Sequence, residues 1–194
     1  MEKRGRGRPK VSSVGTMSEA AVELFLEVGF EEASIDDIAA RAGVSRGSFF
    51  TYLPGGKADA LWHYLEPTIE AVEPKAAESG ARKPVRECIE AVVQAVEPWG
   101  DSVPQILRDA ELMHVEEVLQ NTGGKRFEEA AERLAVHIAL AEDSLPESPR
   151  PATISRAIVG AALGSIRAWM QHASEPAADA VRRGLEPLVA YEAK

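Results

Sequence analysis

The side chains best suited to recognition chemistry in this 194-residue chain lie between Ser34 and Tyr52, in the run SIDDIAARAGVSRGSFFTY. Their types suit the reading of a polyanion. Arg46 carries a fork of N–H groups that fits a phosphate or the edge of guanine. The hydroxyls of Ser48, Thr51 and Tyr52 can donate to phosphate oxygens or base edges. Gly47 lets the backbone approach a duplex closely. Catalytic chemistry is harder to assemble. His63, His114, His137 and His172 are scattered, without an HExxH run or an i, i+4 ligand pair, and there is no phosphate-binding loop and no G-x-S-x-G elbow. Cys88 is the one cysteine and sits among Val85, Ile89 and Val92 at helical spacing, the setting of an inert thiol. A disulfide framework and a cysteine-rich zinc site are excluded. The expectation is a protein that is not an enzyme, with no metal and no cofactor.

Those donors need a scaffold, and the flanking pattern supplies one. Met17, Ala20, Ala21, Leu24 and Val28 recur at helical spacing, and Gly29 stops that helix. Ser34-Ile35-Asp36-Asp37 has the outline of a capping box, with Asp in place of Glu or Gln, so a second helix starts at Ser34 and ends at Gly43. Ser45 caps a third, with Phe49, Phe50 and Leu53. Two helices crossing steeply through a short turn require a residue tolerant of positive φ, which Gly43 provides, and a small residue at the crossing, which Ala39 provides. Val44 pins the turn. This is the logic of a helix-turn-helix whose recognition helix points its N-terminus at DNA. The same spacing also describes an ordinary helical hairpin with a glycine turn, and the pattern alone leaves both open.

The rest of the chain continues the helical pattern. Helices are expected from Lys57 to about Val72, with a possible kink at Pro67, then over 84–97, 102–120, 125–142, 151–172 and 176–190. No strand alternation and no internal repeat is visible. The fold class is all-α with about nine helices. The expected organisation is a disordered basic arm over 1–11, a DNA-binding domain over 12–56, a connecting helix over 57–73 and a second helical domain over 74–194. Charge is uneven: five basic side chains and one acid give residues 1–10 a charge of +4 on a chain whose total is −9. A basic arm on an acidic body is the asymmetry of a chain whose one end meets a polyanion, or of a merely solvated tail. The longest weakly polar run is about half of the ~20 residues a membrane span needs. No membrane partner is expected, and the cysteine usage fits the cytoplasm.

Residues 17–65 resemble the DNA-binding domain of the TetR family of bacterial regulators. The likeness is carried by Leu24, Phe25, Gly29 and Phe30, followed by the capping Ser34 and the Ile-Ala-x-x-Ala-Gly-Val-Ser pattern at Ile38–Ser45. The resemblance implies a sequence-specific transcription regulator, in the repressor mode, released from a palindromic double-stranded operator by an unidentified small-molecule effector. It implies DNA contacts at Ser34, Ser45, Arg46, Gly47, Ser48, Thr51 and Tyr52, and a phosphate contact from Lys57 at the start of the fourth helix. Three positions depart from the family pattern. Phe50 replaces a common tyrosine, Leu53 replaces a phenylalanine, and Gly55-Gly56 replaces a single serine, which puts the placement of Lys57 in question. Arg6-Gly7-Arg8-Pro9 resembles an AT-hook core, and Arg6 and Arg8 can lie in a narrow minor groove.

The resemblance further implies a C-terminal domain that binds the effector and forms a homodimer. Candidate pocket residues are Ile106, Met113, Phe127 and Trp169. Candidate interface residues are Ile158, Gly160, Ala161, Gly164, Leu185 and Leu188, within an intermolecular four-helix bundle. The alternative is an architectural binder of A·T-rich DNA that has no effector.

Overall fold

Serine starts the first three helices. In the computed structural model, which describes residues 13–75 and 82–192, Ser13 opens α1 (Val14–Val28) by accepting the Thr16 N–H at 3.1 Å. Ser34 opens α2 (Ile35–Ala42) through the Asp37 N–H, and Ser45 opens α3 (Arg46–Tyr52) through the Ser48 N–H, each at 3.1 Å. Such a cap is worth about 1 kcal/mol. The box at Ser34 is shorter than its Ser/Glu counterpart: the Asp37 carboxylate accepts from the Ser34 hydroxyl at 2.5 Å. Gly43 ends α2 in the left-handed region (φ 74, ψ 31), and the Val44 N–H folds back to the Ala39 carbonyl at 2.9 Å. An L side chain there costs about 1–2 kcal/mol. Arg6 and Arg8 lie outside the described residues.

A first unit consists of the chain up to Tyr64 together with Ala110–Glu116. It holds α1–α3 and α4 (Lys57–Trp62) around Met17, Ala21, Phe25, Ile38, Phe49, Leu53 and Leu61, all nearly inaccessible to solvent. Each large side chain removed from water contributes about 1.5–3 kcal/mol. The 110–116 segment is tied in by the Phe30 N–H, which donates to the Met113 carbonyl at 2.9 Å.

The second unit takes residues 65–109 and everything from 117 onward. Its helices are α5 (Glu66–Glu70), α6 (Pro84–Val96), α7 (Gln105–Arg108), α8 (Glu116–Thr122, whose first residue belongs to the first unit), α9 (Gly124–Ala141), α10 (Pro149–Gln171) and α11 (Ala177–Leu185). α6, α9, α10 and α11 enclose a core that includes Val85, Val93, Leu134, Ile138, Ile158, Val181 and Leu185. The described residues contain no strand, and the fold is all-α.

Three expected helices differ in extent. The one expected over 57–72 is two, because Pro67 lies in the first turn of α5 and has no N–H to continue a ladder from α4. The one expected over 102–120 is interrupted between α7 and α8, where His114 takes a positive φ of 55 and Met113 is claimed by Phe30. The last gives way to a 3-10 turn over Glu186–Tyr191 at Pro187. Among the described residues no helix is long and apolar enough to cross a membrane.

Candidate nucleic-acid interface

The first unit presents its polar groups at the N-terminal ends of α2 and α3. Ser34, Ser45, Arg46, Gly47 and Thr51 are exposed, and Ser48 and Tyr52 are half-buried. The hydroxyls of Ser45 and Ser48 are 2.9 Å apart, and the Thr51 hydroxyl donates to the Gly47 carbonyl at 3.1 Å. Gly47 has no backbone or core atom within contact of a built Cβ; its nearest neighbour is the Ser45 hydroxyl at 3.8 Å. The helical N-terminus and these donors make an anion-seeking edge on one helix. Phe49 anchors the other side of α3, wholly buried and edge-on to Phe50 at 5.4 Å. The angle between α1 and α2 is braced by Arg41, which forks onto the carboxylate of Glu27, one N–H at 2.7 Å. That hydrogen bond holds the Glu27 carboxyl below its ordinary range.

Lys57, expected at a phosphate, is engaged within its own unit. Its ammonium donates to the Phe30 carbonyl at 2.5 Å and reaches the Glu31 carbonyl at 3.4 Å, and it lies 4.4 Å from the centre of the Phe30 ring. The reason is local. Gly56, at φ 82, starts α4 without a side-chain cap, and the Asp59 carboxylate reaches back to the Gly55 N–H at 2.6 Å. The lysine that opens α4 thus serves the α1–α2 turn.

Sequence reasoning missed Asp36. Its carboxylate accepts from Arg46 Nη1 at 3.0 Å, and the Arg46 guanidinium stands 5.6 Å from the Phe50 ring centre. An acid in the first turn of α2, on the edge that carries the donors, was the available signal.

The second unit holds the other candidates differently from expectation. Met113 is fully buried in the first unit. Ile106 is buried in α7, and Phe127 is half-buried in α9. Trp169 belongs to the core: it stacks on Trp99 at 6.4 Å, and its indole N–H donates to the Glu175 carbonyl at 2.8 Å. Ile158 and Leu185 are wholly buried in the core of their own unit. The close approach of α10 and α11 is made at Gly184, where a Cβ would fall on Ser165. Gly160 and Gly164 are exposed with open space above them, and Ala161 and Leu188 are half-buried.

Three titratable groups in this unit serve the fold. Glu87 and His137 meet at 2.6 Å with little exposure, and the Cys88 thiol donates to the Leu134 carbonyl at 3.7 Å. Burial pushes that thiol up to about 12, with the carboxylates of Glu87 and Glu192 adding to the shift. It is therefore no nucleophile at neutral pH. Among the described residues no cluster of three or more ligating side chains is suited to a metal ion.

Known proteins share both regions. Residues 18–59 match the family of bacterial regulatory proteins of the tetR type, and residues 82–192, more than half of the chain, match the MftR C-terminal domain. A Mycobacterium tuberculosis protein whose name assigns it to transcriptional regulation of mycofactocin biosynthesis is 24% identical over 179 residues, covering 87% of this chain and 85% of its own. Among solved structures, NalD of Pseudomonas aeruginosa, the secondary repressor of the MexAB-OprM multidrug efflux pump, superposes with a TM-score of 0.54 at 23% identity, covering 93% of this chain and 96% of its own. A tetR-family regulator from Streptomyces coelicolor gives 0.52 at 19%, covering 92% and 79%. With an N-terminal helix-turn-helix and a C-terminal helical domain that both match, the chain belongs to the TetR family of bacterial transcription regulators, which are DNA-binding proteins and not enzymes.

Proposed function

We propose that this regulator is a homodimeric repressor that a small molecule releases from a palindromic operator. The observation that carries the reading is the polar edge of α3, where Arg46, Gly47, Ser48 and Thr51 project from a helix whose opposite side is locked by buried Phe49. Two such helices related by a two-fold axis enter successive major grooves about one turn apart. Ser34, Ser45 and Tyr52 contact the flanking phosphates, and Arg6 and Arg8 extend the contact into the adjacent minor groove. The partner subunit packs on the surface marked by Gly160, Ala161, Gly164 and Leu188. Ile106 and Phe127 remain the candidate contacts for an effector in the second unit. That effector can release DNA only as far as its affinity differs between the DNA-competent and the released conformation. The MftR-type C-terminal match makes mycofactocin biosynthesis genes the first targets to examine. The site of action is the cytoplasm, where the DNA is.

The test is capture of genomic fragments by purified protein at near-physiological salt. A sharp palindrome is expected, and the genes beside it point to the effector. Broad A·T-rich enrichment with no palindrome would overturn the reading in favour of an architectural binder working through Arg6 and Arg8.

A further inference from the structure

α2 carries Ser34 at its start, and two different cations hold its two ends. At the C-terminal end Arg41 forks onto Glu27 of α1, and both residues are exposed. The N-terminal end is reached through the turn over residues 29–33, which belongs to no helix. The Ala33 N–H closes that turn onto the Gly29 carbonyl at 3.2 Å, and Ser34 follows directly. Phe30 is the point at which the turn is fastened. Its ring is nearly buried and packs on Phe25 at 5.0 Å, and its N–H donates to the Met113 carbonyl. Its own carbonyl accepts from Lys57 at 2.5 Å, and the same ammonium lies over its ring and reaches the Glu31 carbonyl. Lys57 is half-buried, so this brace is shielded from water where the Arg41 brace is not.

We propose that Lys57 is a positioning residue for DNA binding: it fixes the 29–33 turn and, through it, the Ser34 end of α2. The inference rests on the reading that puts Ser34 at a phosphate. A charged donor makes a stronger hydrogen bond than a neutral one, and a half-buried one is little screened by salt. Without the ammonium the turn has lost one of its ties and takes up more than one position. DNA is bound only by the fraction of molecules with Ser34 in place, so the apparent dissociation constant rises as that fraction falls. The ammonium itself stays off the duplex, and the number of phosphates neutralised is the same with or without it. Affinity therefore falls while its salt dependence holds. A cation that meets a phosphate behaves differently, because its removal lowers both together.

The test uses a duplex selected from a random library by the unaltered protein, with every variant read well below its melting temperature. Lys57→Met is expected to raise the dissociation constant about fivefold and to leave the slope of log affinity against log salt unchanged. Lys57→Arg, which keeps a cation with N–H donors beside Phe30, should restore most of the affinity. Hydrogen exchange in Lys57→Met should quicken over residues 30–38 and stay as it was over α3. Unchanged affinity in folded Lys57→Met would overturn the proposal and leave the lysine a stabilising contact only. A shallower salt slope would overturn it in favour of a phosphate contact. Faster exchange throughout the unit would overturn it in favour of general loosening. Should Lys57→Met not fold, Lys57→Gln, which keeps an N–H donor without the charge, is read in the same three ways. If the unaltered protein selects no sequence, base reading by α3 itself fails. That result is distinct from one in which it selects a site and Lys57→Met leaves the affinity intact.

Discussion

The two units start their helices by different means. In the reading unit, Ser13, Ser34 and Ser45 each cap a helix through an N–H three residues ahead. In the second unit α5, α6 and α10 carry proline in the first turn and have no side-chain cap from the preceding residue. What α6 does have is remote. The Glu192 carboxylate accepts from the Val85 N–H at 3.2 Å and the Arg86 N–H at 3.0 Å, more than a hundred residues along the chain. Glycine divides in the same way. Gly43 is required by its own backbone angle, and a Cβ there would meet nothing, whereas Gly184 is required by the closeness of Ser165. The first three helices of the reading unit are started by neighbours in sequence, whereas α6 of the second unit draws on neighbours in space.

That contrast can be broken most forcefully at the Glu87–His137 pair. His137→Leu leaves a carboxylate buried without this partner, and chemical denaturation followed by circular dichroism should show a loss of about 3 kcal/mol. A loss under about 1 kcal/mol would class the pair with exposed contacts.

The glycines give the next largest effect. Gly184→Ala places a Cβ 2.9 Å from the Ser165 Cβ and should cost about 2 kcal/mol. Ser165→Gly, which alone costs about 1 kcal/mol in a helix, should make the alanine nearly harmless. Gly43→Ala should cost about 1 kcal/mol with no neighbouring change able to restore it. Additive costs in the Gly184–Ser165 pair would refute the spatial explanation.

Removing caps sharpens the comparison further. Ser45→Ala should cost about 1 kcal/mol at any salt concentration. Glu192→Ala should cost about 0.5 kcal/mol at low salt and less at high salt, since a half-buried charge at a helix N-terminus is still partly screened. Equal salt dependence for the two would erase the distinction.

The smallest expected effect concerns Lys57. Lys57→Met should leave the salt dependence of operator binding unchanged, because the ammonium is engaged with the Phe30 and Glu31 carbonyls. Arg46→Ala should reduce the slope by about 1. An equal reduction from Lys57→Met would return that lysine to the phosphate backbone.

What the amino-acid sequence determined by itself was the reading unit. Its helix starts at Ser34 and Ser45, its turn at Gly43 and its buried Ile38, Ala39 and Phe49 were legible, because each follows from hydrogen bonds or backbone angles a few residues apart. All-helical character was legible throughout for the same reason. Tertiary structure decided which donors are engaged. Arg46 meets Asp36, and Lys57 turns from solvent to the Phe30 carbonyl, because helices packed at a fixed angle bring those groups together. It also decided that Met113 joins the first unit, that Ile158 and Leu185 are core, and that Gly184 is the point of close approach. Apolar spacing shows that a residue faces inward on its helix. Only the packed neighbours show whether that face meets its own core or remains free for a partner or a ligand.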